Sequence, residues 1–157
     1  MESANPQPNV TIDIHSLEMV DGRMDWVHET MRTSNLIVAK GREVLRNLLA
    51  NYGSAPCVIA LGTASTAPHD GDVALEVEVF RNAVTRVIRQ PANVRYQIYV
   101  DTDQANGHTI AEVGLYAAAP MGSHDDEPDT TEAAALVSGT QQLFARAVLP
   151  NPIAKTA

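Results

Sequence analysis

The segment NGHTIAEVGLYAA, Asn106 to Ala118, sets a carboxylate, Glu112, inside an apolar run. A carboxylate in such a place can move a proton, bind a metal ion or hold neighbouring donors by accepting their hydrogen bonds. If the run is a strand, Thr109, Ala111, Val113 and Leu115 share one face. That face is apolar enough for a core. Ile110, Glu112, Gly114 and Tyr116 share the other, so Glu112 need not lie among aliphatics. Gly114 lets another backbone or a ring come close. Donors for Glu112 would be loop amides, or Arg146 or Arg86 across a sheet. Glu112 then reads as a structural fixture whose removal strands its partner.

The other chemical signals are weaker. HDGD, His69 to Asp72, offers Asp70 and Asp72 as oxygen donors to a calcium ion. A calcium loop needs about six to eight ordered oxygens, and here Val73, Ala74 and Leu75 follow. A solvated turn is the preferred reading. His15, His28, His69, His108 and His124 show no zinc-ligand spacing. LGTAST, Leu61 to Thr66, has the small residues of a phosphate loop but lacks the lysine and the helix. There is no GxSxG elbow. Cys57 in APCVIALG reads as a small hydrophobe without an activating base. Asp125, Asp126, Glu127, Asp129 and Glu132 repel one another and predict a solvated loop. A glycoside-cleaving carboxylate pair would want aromatic sugar platforms, and Trp26 is the sole tryptophan.

The elements that must position these residues read as follows. The chain of 157 residues fits one domain, or one domain plus an arm. With 45% hydrophobic but only 4% aromatic residues, its core must rest on Val, Leu, Ile and Ala. A net charge of −8 argues against a nucleic-acid partner and against docking on anionic membranes. The polar, Pro-rich start MESANPQPNV does not look like a signal peptide. No apolar run reaches the roughly 20 residues of a spanning helix. A soluble chain, folded in a cytoplasm, is expected.

Residues 1–9 read as a flexible arm. VTIDIHSLEMV and MDWVHETM, on either side of the turn signal Asp21-Gly22-Arg23, predict a hairpin or two extended segments. In AKGREVLRNLLANYG the period changes to that of a helix. Val44, Leu45, Leu48, Leu49 and Tyr52 form its apolar face, and Gly53 is placed to end it. Cys57 to Leu61 predicts a buried strand. VALEVEVFRNAV fits a short helix or an extended segment. Two strands flank RQPAN, a turn covers DQANG, and QQLFARAVL predicts a last strand. The sum is a mainly β (α+β) chain: an antiparallel sheet or sandwich, one amphipathic helix packed on it, and an extended N-terminal arm. The organisation expected is residues 1–34 as arm or hairpin and 35–157 as a β-rich module.

The order of these segments resembles a module of tailed-bacteriophage virion proteins. There an N-L-I-V-x-x-G helix precedes an A-L-G-T-G loop. A T-A-P-x-x-x-D-x-A-L-x-x-E segment follows, then D-x-x-x-A-N-G-x-T-I-x-E-x-G-L-F/Y and a closing L-x-A-R-A. This chain carries the series over residues 35–157, including Gly41, Gly62, Asp72, Glu78, Glu112, Gly114 and Arg146. The resemblance implies a structural virion protein of the tail fibre, baseplate or neck and collar, without catalysis or cofactor. Its partners would be other virion proteins and further copies in a trimer or ring. It implies structural or assembly roles for Gly62, Asp72, Glu78, Glu112, Gly114 and Arg146. Ala64 stands where the pattern has glycine. Such modules also continue beyond I-x-K-T into another strand. Residues 10–34 are expected to replace that strand, in their own subunit or a neighbour.

A second reading is a receptor- or glycan-binding module of the tail. It would use Trp26, Tyr52, Tyr96, Tyr99 and Tyr116 against a host receptor. A third, remote reading is a small hydrolase built on Glu112 or the Asp125 loop.

Overall fold

A computed structural model describes residues 9–50, 55–118 and 141–156. The fold is mainly β, with antiparallel sheets and one helix among the described residues. In chain order the elements are β1 (Asn9–Val20), β2 (Arg23–Ile37), α1 (Ala39–Leu49), β3 (Pro56–Gly62) and β4 (Glu78–Ala83). Then come β5 (Arg86–Gln90), β6 (Asn93–Gln97), β7 (Thr109–Ala118) and β8 (Gln141–Ala154). The main sheet has six strands in the order β1-β2-β8-β7-β3-β4, and β5 with β6 form a separate two-stranded ribbon.

The hairpin expected at the N-terminus is present. Asp21 and Gly22 take φ of 49° and 77°, the left-handed pair that matches strand twist in a two-residue turn. Val20 then pairs with Arg23, and the register runs to Asn9 opposite Ser34. Only the far end of β2 joins the rest of the sheet, pairing Asn35, Leu36 and Ile37 with Ala147, Arg146 and Ala145. β2 thus crosses the boundary at residue 34 and covers the edge of β8 within the same chain. Its 12-residue partner β1 gives the ribbon a length of roughly 40 Å at strand rise. Of VALEVEVFRNAV, which fits either a short helix or an extended segment, residues 73–77 are irregular and Glu78–Ala83 form β4, with no helix.

Helix α1 lies on the sheet differently from the face read in the sequence. Gly41 and Val44 are buried, whereas Leu45 is exposed and Leu49 is 90% exposed. The cause is Gly41, whose missing side chain lets the helix rest on the backbone carbonyl of Phe144. The buried stripe therefore runs through positions 41 and 44. The helix ends at Leu49, with Ala50 as its C-cap. Tyr52 and the expected terminator Gly53 lie outside the described residues, as do the acidic residues from Asp125 to Glu132 and the start of the expected arm.

Two apolar clusters form. One joins Val38, Val58, Ala60, Leu75, Tyr116 and Leu143, with Cys57 packed against it. The other joins Met31, Ile110 and Leu149, flanked by Leu61, Val79, Val113 and Ile153. Pairing of β7 with β8 is interrupted between Ile110 and Glu112. Ile110 consequently packs in the cluster flanked by Val113, and strict alternation along β7 fails there.

Candidate functional site

The face of β7 that carries Glu112 is buried, contrary to the reading that set it away from the core. Glu112 is 0% exposed, and Gly114 and Tyr116 are buried with it. What covers them is an irregular strap, residues 72–77, between the loop after β3 and strand β4. Leu75 of the strap enters the first apolar cluster, and its N–H donates to the Tyr116 hydroxyl at 2.9 Å. Gly114 makes this possible: a Cβ there would sit 2.9 Å from both Leu75 and the Tyr116 ring.

Glu112 fastens the next two residues. The N–H of Val77 donates to Oε1 at 3.0 Å and that of Glu76 to Oε2 at 3.3 Å. Arg146, paired in register with Gly114, donates its Nε to Oε2 at 2.8 Å. Both carboxylate oxygens are thus held by donors from two directions. Gly62, opposite Glu112 on β3, leaves the space these bonds occupy. A Cβ there would press on Oε1 and lie 2.6 Å from the Val77 carbonyl. That carbonyl accepts from Thr63 at 3.0 Å, tying the strap to the end of β3.

Arg146 is 3% exposed and serves a second carboxylate. Its Nη1 donates to Asp72 Oδ2 at 2.9 Å. The same oxygen accepts the His69 N–H at 2.9 Å. Nη2 has no hydrogen-bond partner; Glu76 faces it at 3.7 Å, an electrostatic contact beyond hydrogen-bond length. Burial works against ionisation of Asp72, but the His69 amide and Arg146 outweigh it and hold its pKa below the ordinary carboxylate value. A pKa lowered by folding adds stability above the unfolded value, and that stability is lost as pH falls through the folded value. Asp72→Asn is therefore expected to lower the urea midpoint at pH 7 and to flatten its decline below about pH 4. Parallel pH profiles for the variant and the native chain would contradict this.

Glu78 stands apart from the Arg146 cluster. It binds Arg81 through Nε and, at 2.7 Å, through Nη2. Arg81 in turn lies over the Tyr116 ring, 4.8 Å from its centroid, so Glu78 orients a cation on the core tyrosine. Arg86 is not a partner of Glu112: it sits exposed on β5, in the other sheet.

The HDGD carboxylates are engaged by arginines. Asp70 takes Arg42 of α1 in a two-pronged pair at 2.6 and 2.9 Å, and Asp72 takes Arg146. Among the described residues no group of three His, Cys, Asp or Glu side chains is placed to hold a metal ion. The tyrosines named for glycan binding are dispersed in role: Tyr116 is 2% exposed and Tyr99 is 61% exposed.

No protein-family model, curated protein or solved structure matches this chain.

Several residues of the site were not marked by sequence reading. Arg81 and the amides of Leu75, Glu76 and Val77 were among them. A backbone donor leaves no trace in residue type, so this segment was marked only through the side chains of the D-x-A-L-x-x-E series, Asp72, Ala74, Leu75 and Glu78. A second fastening involves Asn106 and Lys155. Lys155 Nζ donates to Asn106 Oδ1 at 2.8 Å, and Asn106 Nδ2 donates to the Thr102 carbonyl. Backbone bonds link Gly107 to Lys155 and Lys155 to His108, each at 2.9 Å. Ala105 and Gly107 take φ of 54° and 77°, which shapes the turn read in DQANG.

Proposed function

We propose that this chain is a structural component of a tailed-phage virion, in the tail fibre, baseplate or neck. It acts by oligomeric assembly and protein–protein binding, not by turnover. One observation carries the reading. Gly62, Asp72, Glu112, Gly114 and Arg146 come from four separate segments of the virion-like series and meet in a single packed unit. The resemblance thus falls on one piece of physical machinery, a strap locked to a sheet. The charges in that unit are spent on the protein's own backbone and on each other, which suits a part that must hold its shape under load. The ribbon of β1 and β2, paired with the main sheet at Asn35, Leu36 and Ile37, supplies a surface for neighbours.

The test is to purify phage particles from cells that produce this chain and to locate it by mass spectrometry and imaging. A fixed copy number at one symmetric position is expected. Absence from washed, infectious particles would overturn the reading. Specific binding of the isolated chain on a glycan array would favour a receptor-binding role.

A further inference from the structure

The turn that leads into β7 is closed by a residue that follows β8. Lys155 Nζ donates to Asn106 Oδ1 at 2.8 Å, and Asn106 Nδ2 donates to the Thr102 carbonyl at 2.6 Å. The Gly107 N–H donates to the Lys155 carbonyl, and the Lys155 N–H to the His108 carbonyl, each at 2.9 Å. Beside this clip, Ala154 of β8 pairs with Thr109 of β7. Asn106 and Lys155 are half-buried. Gly107 takes φ of 77°, a conformation that residues with a side chain rarely adopt, so the turn calls for glycine there.

Asn106-Gly107 is the one Asn-Gly step in the sequence. That dipeptide carries a reaction of its own. The glycine amide nitrogen gives its proton to hydroxide and attacks the asparagine Cγ, with no Cβ on the glycine to stand in the way. A nitrogen–Cγ bond forms, the Cγ–Nδ2 bond breaks, and the amide group leaves as ammonia with a proton from water. Water then opens the five-membered succinimide at either carbonyl, giving aspartate or isoaspartate. The reaction needs the Gly107 N–H free and the Asn106 amide able to turn toward it. In this fold neither condition is met. The Gly107 N–H is committed to the Lys155 carbonyl, and both ends of the Asn106 amide are held. The Lys155 ammonium would polarise the Asn106 carbonyl for attack, but with the Gly107 N–H engaged it serves as a tether.

We propose that Asn106 is a deamidation site gated by the Lys155 clip: it reacts when residue 155 lets go of the turn. The inference goes beyond the assembly reading above and does not depend on it. Around the clip, Asp101 to Asp103, Gly107 to Thr109, Ala154 and Thr156 are exposed. Such a place opens at lower cost than the packed body of a sheet, so the clip can release while the strap and the core stay folded. The products do not restore it. Aspartate at 106 keeps a partner for Lys155 but replaces the Nδ2 donor with an acceptor that faces the Thr102 carbonyl. Isoaspartate lengthens the backbone by a methylene and shifts Gly107 from the Lys155 carbonyl. An opening that leads to reaction therefore leaves a permanent mark on the chain.

The experiment is to hold the full chain at mildly alkaline pH and to follow aspartate and isoaspartate at position 106 by peptide mass spectrometry. The native chain is compared with the same chain unfolded in guanidinium chloride, with Lys155→Ala and with Lys155→Arg, and circular dichroism checks that both variants fold. The native chain is expected to react about tenfold or more slowly than the unfolded one. Lys155→Ala should raise the folded rate by about three- to tenfold, the worth of one hydrogen bond, and Lys155→Arg, which keeps a cationic donor, should stay near native. Hydrogen exchange at the Gly107 amide of the native chain is a second readout, and it should be slow. If Lys155→Ala does not fold, that exchange and the ratio of native to unfolded rates still decide. A native chain that reacts as fast as the unfolded one, a folded Lys155→Ala variant with the native rate, or a Gly107 amide that exchanges like an exposed one would each overturn the proposal. So would a cross-link between Lys155 and Asn106 formed with loss of ammonia, which would make Lys155 itself the nucleophile.

Discussion

Replacing Glu112 with alanine is expected to cost about 3–5 kcal/mol of folding stability, the scale for breaking a buried ion pair from one side. The loss has two parts. Arg146, 3% exposed, would keep Asp72 but lose the acceptor for its Nε. The amides of Glu76 and Val77 would lose theirs, and the strap over Tyr116 would lose its fastening. A buried donor left unsatisfied carries its full desolvation penalty. Glu112→Gln keeps the shape and one acceptor oxygen, and it should fall between the native chain and the alanine variant. Removing Arg146 in the Glu112→Ala background should cost less than removing it from the native chain, because the charge it was answering has gone. Urea unfolding at pH 7 measures all of these. A Glu112→Ala variant within about 1 kcal/mol of native would deny the carboxylate its structural role.

Gly62→Ala is expected to destabilise by about 1–3 kcal/mol through overpacking. The added methyl would meet the Glu112 carboxylate and the Val77 carbonyl. Val77 O belongs to the strap's backbone and also accepts from Thr63. The carboxylate is pinned by three donors, so neither neighbour can yield without breaking a bond. The cost should shrink when Glu112 is already alanine, since half of the crowding then disappears. Equal cost in both backgrounds would place the strain elsewhere, and a neutral Gly62→Ala would show that the strap gives way freely.

Sequence reading reached the chemistry of Glu112 more closely than its position. The apolar run and its carboxylate marked a strand with a held charge, and Arg146 was one of two arginines in view. What misled was strict alternation. The pairing break between Ile110 and Glu112 moves Ile110 to the other cluster, and period-two counting has no sign of such a break. The helix was legible in its period but not in its orientation. Leu45 and Leu49 look like core residues until Gly41 is seen against the Phe144 backbone. Hydrophobicity ranks side chains, and here close approach of two backbones decided the face. The β5–β6 hairpin and the Asp21-Gly22 turn were plain because turn chemistry is local. The strap was not, since its partners are distant in the chain and its contribution is mostly amide groups.

The attachment of the long ribbon also sets an order of events. Thr33 donates its hydroxyl to the Val148 carbonyl across 115 residues, and β2 meets β8 beside it. The ribbon is made first and anchored last. At ribosomal speeds of about 5–20 residues per second, on the order of ten seconds separates its emergence from that of its anchor. During that interval its edges have no partner within the nascent chain's main sheet. The ribbon carries charged residues of both signs, Asp13, Arg23, Asp25, Glu29 and Arg32, the kind of side chain that discourages edge-to-edge pairing.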